Sequence, residues 1–362
     1  MMCKRIFAYQ TQSEGEIPFF KIGTIGSSPD AYISQELFDD YKEKYNYPRV
    51  NEVMITCAGT VGRCWQFDGT PSYYQDSNIV WIDNPQGKIS NNFIYRILER
   101  TDWSKLNSTT ITRIYNDNLR NLNCYYPAIE EQNKITDFLS LIDKRIEKQR
   151  QLVENLKKYK RGLISNIFEQ KIKLGNKGNW IEIKLSKILK ERKTYCEKDG
   201  TYEHATLSKD GVSAKTERYE RDFLVSDENK KYKITKFGDI CYNPANLKFG
   251  VICLNNYGDA IFSPIYITFE IDENYNKEFI GYCLTRNDFI NKALKYQQGT
   301  VYERMAVSPE DLLSMEIIVP KKETQNKISA LLNILESKLD AESNKLTLLV
   351  KMKSSLLQQM FI

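Results

Sequence analysis

The sequence predicts an α+β protein: two mixed α/β domains separated by two long helices that pair as an antiparallel coiled coil. Three observations predict it. A segment near the middle of the 362-residue chain recurs at its end. Both copies carry apolar residues at a 3.5-residue period over about four to five heptads, which is the signal of a coiled coil. The stretch ahead of each copy is broken into short β-like runs separated by turn residues. The predicted order is a domain over 1–126, a long helix over 127–171, a domain over 172–319 and a second long helix over 320–362.

In the first domain, Pro18-Phe19-Phe20-Lys21-Ile22 and Asn78-Ile79-Val80-Trp81-Ile82 read as strands, and Asn92–Glu99 as a short helix. The first long helix follows Pro127-Ala128-Ile129-Glu130-Glu131-Gln132-Asn133-Lys134-Ile135. The matching start, Pro320-Lys321-Lys322-Glu323-Thr324-Gln325-Asn326-Lys327-Ile328, lies 193 residues later, and the offset holds without a gap to the end of the chain. Prolines suit the extended chain ahead of a helix. The first seam is Ile135, Leu139, Ile142, Ile146, Val153, Leu156, Leu163 and Ile167, with Gln149 and Lys160 in its two polar places. The second is Ile328, Leu332, Leu335, Leu339, Leu346, Leu349, Leu356 and Met360, with Glu342 and Lys353 in the same two places. Each helix spans about 39 residues, or ~58 Å at 1.5 Å per residue. Such a helix cannot bury its seam alone, so the two copies are expected to pack together. Between them, Lys171–Asn179 with Gly175 and Gly178 reads as a linker. The second domain follows, with strands at Gly238-Asp239-Ile240-Cys241-Tyr242, Gly250-Val251-Ile252-Cys253-Leu254 and Ile265-Tyr266-Ile267-Thr268-Phe269, and a short helix at Lys277–Thr285.

Composition limits the function. The chain is 41% hydrophobic and 27% charged, with a net charge of +5. That balance permits nucleic-acid binding without demanding it. No stretch approaches the ~18 uninterrupted apolar residues that span a bilayer. The start, Met1-Met2-Cys3-Lys4-Arg5, lacks an apolar block, so no signal peptide and a cytoplasmic location are expected. The eight cysteines form no CxxC pair and there is one histidine, His204, so a zinc site is not expected and the cysteines read as buried reduced thiols.

Several phrases resemble the specificity subunits of Type I restriction–modification enzymes, which carry two target-recognition domains separated by long helical spacers. Gly15-Glu16-Ile17-Pro18-Phe19-Phe20-Lys21-Ile22-Gly23 is similar to the family's opening strand, and Ala58-Gly59-Thr60-Val61-Gly62-Arg63 to its glycine-rich hairpin. Phe237-Gly238-Asp239-Ile240-Cys241-Tyr242-Asn243-Pro244 and Phe262-Ser263-Pro264-Ile265-Tyr266 resemble parts of the second domain, and both Pro-x-x-Glu-x-Gln-x-x-Ile-type helix starts fit. The second half opens with Trp180-Ile181-Glu182-Ile183-Lys184-Leu185, the usual domain start; the first domain is expected to lack its counterpart.

The resemblance implies a protein without a catalytic site that binds double-stranded DNA at a bipartite target. It implies docking of two methyltransferase subunits and of restriction/translocase subunits, with S-adenosylmethionine, ATP and Mg bound by those partners. The residues agree. No glycine-rich cofactor loop follows an early strand, no Gly-x-x-x-x-Gly-Lys-Ser/Thr occurs, and no Asp…Glu-x-Lys pattern stands on paired strands. Asn243-Pro244-Ala245-Asn246 lacks the second proline and the aromatic of an amino-methyltransferase motif, and reads as a turn after a strand. The candidate DNA contacts are Thr60 and Arg63 on the first glycine-rich loop, Asn246 and Lys248 in the second domain, and Arg113 and Arg304 ahead of the helices. A hairpin turn for the loop and a structural ion pair for the two arginines are the plainer readings. The paired helices would fix the spacing of two half-sites, as in dimeric readers. The alternative function is a coiled-coil scaffold presenting two β-rich protein- or ligand-binding heads.

Overall fold

The structure, a computed structural model, describes residues 1–106, 113–172, 180–197, 200–215, 231–298 and 305–361. The linker expected at Lys171–Asn179 lies largely outside them. Two compact units form, Met1–Asn155 with Ala341–Ile362, and Leu156–Asp340, so each long helix is divided between the units.

The first unit contains, in order, β1 (Ile17–Phe20), β2 (Tyr32–Ile33), α1 (Gln35–Lys44), β3 (Val53–Thr56), β4 (Cys64–Gln66), β5 (Tyr73–Tyr74), β6 (Ile79–Trp81), α2 (Asn91–Arg100), α3 (Asn116–Arg120) and the start of α4 (Ile129–Phe168). Two three-stranded sheets form, ordered β2-β1-β5 and β4-β3-β6. In β1, Ile17 and Phe19 turn inward while Pro18 and Phe20 lie half-buried, the two-residue period of a strand with one face on a core. Phe19, Met54, Tyr73 and Trp81 fill that core. Helix α2 begins where the Ser90 hydroxyl accepts the Phe93 N–H, satisfying a donor that the first turn leaves free.

The second unit continues with β7 (Ile181–Lys184), β8 (Leu189–Glu191), β9 (Tyr195–Cys196), β10 (Glu203–Ser208), β11 (Gly211–Ala214), β12 (Tyr232–Thr235), β13 (Ile240–Tyr242), β14 (Ile252–Leu254), β15 (Ala260–Phe262), β16 (Ile267–Ile271), α5 (Lys277–Leu284), α6 (Asn287–Ala293), α7 (Pro309–Ser314), β17 (Glu316–Val319) and α8 (Lys322–Met360). Its sheets are ordered β11-β10-β15-β12-β9, β14-β13-β16-β8 and β17-β7. The plan of the first unit recurs. Strand β3 pairs antiparallel with β4 and β6, as β13 does with β14 and β16. Strand β1 pairs antiparallel with β2 and parallel with β5, as β10 does with β11 and β15. The Asn276 side chain caps α5 as Ser90 caps α2.

Within each unit, residues of α4 and α8 bury one another. In the first, Leu139, Ile142 and Ile146 of α4 bury against Leu349 and Leu357 of α8 and Phe361 just after it. Asp143 reaches Lys353 at 2.6 Å, and six residues later Gln149 Nε2 donates to the Glu342 carbonyl at 3.0 Å and carboxylate at 2.6 Å. Partner numbers fall as α4 numbers rise, so these stretches run antiparallel. In the second unit, Leu163 and Ile167 bury with Ile328, Leu332 and Leu335, and Lys160 pairs with Glu336. Glu336 is the repeat equivalent of Asp143, so each repeated seam lysine meets the acid at the same place on the other helix. Near the end of α8, Leu357 takes the buried place and Leu356 lies half-buried beside it. A straight helix of 3.6 residues per turn drifts from a strict 3.5 repeat, which moves the buried position by one.

Gln132 and Gln325 are buried polar residues at equivalent places in the two helix starts. Gln132 accepts the Ser90 N–H at 2.8 Å and donates to the Pro127 carbonyl at 2.9 Å. Gln325 accepts the Asn276 N–H at 2.9 Å and donates to the Pro320 carbonyl at 2.8 Å. One glutamine therefore ties the cap of the short helix to the entry of the long helix, once in each unit.

Candidate nucleic-acid interface

The glycine-rich loop of the first unit is the β3–β4 hairpin. Its base is fixed by Thr56, a fully buried residue. The Thr56 N–H donates to the Arg63 carbonyl at 3.0 Å, and its hydroxyl accepts the Arg63 N–H at 3.0 Å and donates to the Thr60 carbonyl. Gly59 and Gly62 have φ of +67° and +83°. Both turn in the left-handed region, where a side chain is disfavoured. Gly62 is further constrained, because an added Cβ would meet the Trp103 ring at 2.2 Å. The two exposed side chains held out by this turn are Thr60 and Arg63.

The hairpin at the equivalent place in the second unit is β13–β14. Ile55 pairs with Cys64 across the first, and Tyr242 with Ile252 across the second. Asn243 opens the second turn: its side chain accepts the Ala245 N–H at 3.1 Å and its N–H donates to Val251 at 3.0 Å. This is the turn after a strand that the sequence suggests. Leu247 is fully buried and anchors the turn, and Gly250 closes it at φ +78°. Asn246 is half-buried and Lys248 exposed. Lys248 Nζ lies 5.0 Å from the centre of the Phe249 ring, which is 65% exposed. The structure thus brings Thr60 and Arg63 to one turn, and Asn246 and Lys248 to its counterpart. Phe249 was not singled out from sequence; an aromatic between a lysine and a turn glycine is its only local signal.

Arg113 is placed differently. It is half-buried, its Nη2 donates to the Ser77 carbonyl at 3.2 Å, and its guanidinium lies 6.0 Å from the centre of the Tyr115 ring. It braces a turn in which Ser77 takes φ +61°. Arg304 lies outside the described residues. Asp239 is spoken for structurally: the Arg192 guanidinium grips its carboxylate at 2.7 and 2.9 Å. That carboxylate raises the Arg192 pKa against an opposing effect of burial. Burial pushes the thiols of Cys3 and Cys64 up to about 12, and those of Cys57 and Cys253 up to about 11. His204 packs its ring edge-on to Tyr232, centroids 4.9 Å apart. Among the described residues, no group of three or more His, Cys, Asp or Glu could hold a metal ion, and no helix is long and apolar enough to cross a membrane.

Residues 2–158 match the family model of the Type I restriction modification DNA specificity domain. The chain is 49% identical over 143 residues to S.HindORF215P of Haemophilus influenzae, described as a type I restriction enzyme specificity subunit; that match covers 40% of this chain and 36% of the relative, about a third of its length. Among solved structures, the S subunit of the Type I restriction-modification system from M. genitalium shares 16% identity at a TM-score of 0.59, over 100% of this chain and 93% of that one. A chain from a structure concerned with complex assembly and conformational transition of the type I R-M system shares 13% identity at a TM-score of 0.55, over 95% and 90%. These two likenesses establish the fold.

Proposed function

We propose that this chain, whose residues 2–158 match the model of the Type I restriction modification DNA specificity domain, is the non-catalytic subunit that reads a bipartite DNA target. The observation that carries this reading is the pair of equivalent hairpins. One scaffold is used twice, and it presents Thr60 and Arg63 in one head but Asn246, Lys248 and Phe249 in the other. Conserving a frame while changing what it displays suits two readers of two half-sites. Arginine and lysine at a turn supply phosphate or guanine contacts, and asparagine pairs with adenine edges.

We assign the methyl transfer, cleavage and translocation chemistry to partners that bind S-adenosylmethionine, ATP and Mg. The chain's part is to hold DNA and dock them. Leu141 on α4 is 64% exposed, and Ile334, its equivalent on α8, is 70% exposed. An apolar surface position repeated once per unit fits two copies of one partner, the methyltransferase subunit, with restriction subunits joining afterwards.

The test is duplex binding by the purified chain as salt is raised. A DNA reader loses affinity steeply, since phosphate contacts release counterions. A scaffold with two protein-binding heads, the other reading, shows weak duplex binding or none.

A further inference from the structure

A cleft recurs at the same place in both units, but its charges differ. In each it lies where the second strand of the hairpin, the short helix and the long helix meet. The first cleft is about 300 Å³ and the second about 650 Å³. Every residue lining the first has its repeat equivalent lining the second, among them Asn92 and Glu278, Tyr95 and Gly281, Arg96 and Tyr282, Ser140 and Asn333, and Asp143 and Glu336. In the first cleft the buried Arg96 guanidinium donates to Glu99 at 2.8 Å and to Ser140 at 3.3 Å, and pairs with Asp143 at 2.7 Å. It lies 5.2 Å from the centre of the Tyr95 ring. Lys353 meets the same two carboxylates at 2.6 Å each, so two cations balance two acids. In the second cleft Tyr282 stands in the place of Arg96. Its hydroxyl donates to Asn333 at 3.0 Å, as Arg96 does to Ser140, but it brings no charge. Thr285 replaces Glu99, and Glu278 supplies a carboxylate where the first cleft has Asn92. Lys160 pairs with Glu336, and among the described residues no ion pair includes the half-buried Glu278. Burial, and then the nearby Glu278 carboxylate, raise the Tyr282 pKa. Gly281, in the place of Tyr95, leaves room beside that ring.

We propose that the second cleft binds a free guanidinium amino acid of the arginine type, its guanidinium held by Glu278 and Glu336 against the Tyr282 ring and its other end by Lys209 and Asp210. The guanidinium is the group that the first cleft carries as part of the chain. A carboxylate takes it through two parallel hydrogen bonds, and a tyrosine ring face attracts it. A lysine ammonium lacks that planar fork. Lys209 and Asp210 form the exposed β10–β11 turn on the same cleft. A cation beside an acid complements a carboxylate and an ammonium carried on one carbon, which a free amino acid has and an arginine within a polypeptide does not.

The probe is L-arginine, titrated calorimetrically into the full-length protein at constant ionic strength and without DNA, so the outcome does not depend on DNA reading. Saturable binding to one site with a Kd of about 1 mM or tighter is expected. L-lysine, and a Gly-Arg-Gly peptide blocked at both ends, should each bind at least about tenfold more weakly, since each forgoes charge-assisted hydrogen bonds. Glu278→Gln changes a side chain without an ion partner among the described residues, so the fold should hold while L-arginine binding weakens at least about fivefold. Tyr282→Arg supplies the guanidinium from the chain itself, as in the first unit, and should abolish binding. No saturable binding up to ~10 mM overturns the proposal. So does L-lysine binding as well as L-arginine, which means that charge alone is read. Binding of the blocked peptide as tight as that of L-arginine, or Glu278→Gln binding L-arginine as the native chain does, overturns it too.

Discussion

Replacing Gln325 by leucine removes one side chain and strands two backbone groups. The Asn276 N–H loses its acceptor at 2.9 Å and the Pro320 carbonyl its donor at 2.8 Å. Gln325 is 1% exposed and Pro320 is buried, so water does not replace either bond readily. A buried group left unpaired costs about 1–3 kcal/mol, which puts the loss at about 2–5 kcal/mol, partly offset by the added apolar contact. The same change at Gln132 is milder. It strands the Ser90 N–H, but Pro127 is half-buried and the third partner, the Lys88 carbonyl, belongs to an exposed residue. About 1–3 kcal/mol is expected there. Because the two units need not unfold together, the assay is hydrogen exchange read by mass spectrometry on peptides covering α2 and α5, which reports local opening. A loss of 2 kcal/mol raises exchange about 30-fold, since 1.4 kcal/mol is tenfold. Exchange in α5 rising less than about threefold in Gln325→Leu, or Gln132→Leu acting more strongly on α2 than Gln325→Leu on α5, would refute the reasoning.

Gly62→Ala should destabilise the first unit by about 2 kcal/mol or more, from a left-handed backbone that costs a side chain about 1–2 kcal/mol plus the collision with Trp103; denaturant unfolding followed by tryptophan fluorescence measures it. Arg63→Ala and Lys248→Ala sit at exposed positions, so unfolding midpoints should hold while duplex affinity falls and each salt slope drops by about one; unchanged slopes remove these residues from the interface. Burial raises the thiols of Cys3, Cys57, Cys64 and Cys253, so at pH 7.5 iodoacetamide should label them at least about a hundredfold more slowly than an exposed cysteine and at ordinary rates once urea is added; fast labelling of the folded protein contradicts the packing.

The long helices were legible because a 3.5-residue period repeated over many turns, and an exact 193-residue offset, are strong regular signals. Even so, the drift from Leu356 to Leu357 shows that periodicity places a seam only to within a residue near a helix end. The short helices at Asn91–Arg100 and Lys277–Leu284 were also legible, within a residue or two of their bounds. Helix α1 was not: only Phe38 of its ten residues is buried, so it carries almost no apolar stripe. The correspondence of the hairpins was hidden for a related reason. Strands of two to four residues hold too few positions for a pattern, and β3–β4 matches β13–β14 through pairing rather than identity. Gly62 was readable as a turn, but Trp103, which lies against it, is 41 residues away and no local signal links them. Gln132 and Gln325 were visible as a repeated letter. That both are buried clamps follows only from the carbonyls and amides around them, which a side-chain pattern does not describe.

The proposed function requires two heads that each read one half of a DNA target. Methylation sequencing of cells carrying the native gene, and of cells in which residues 1–126 are exchanged for those of another family member, tests it most directly. The native chain should support one bipartite methylated motif, and the exchange should rewrite one half of that motif while the other half is retained. A methylome that the gene leaves untouched, or an exchange that rewrites both halves together, contradicts it.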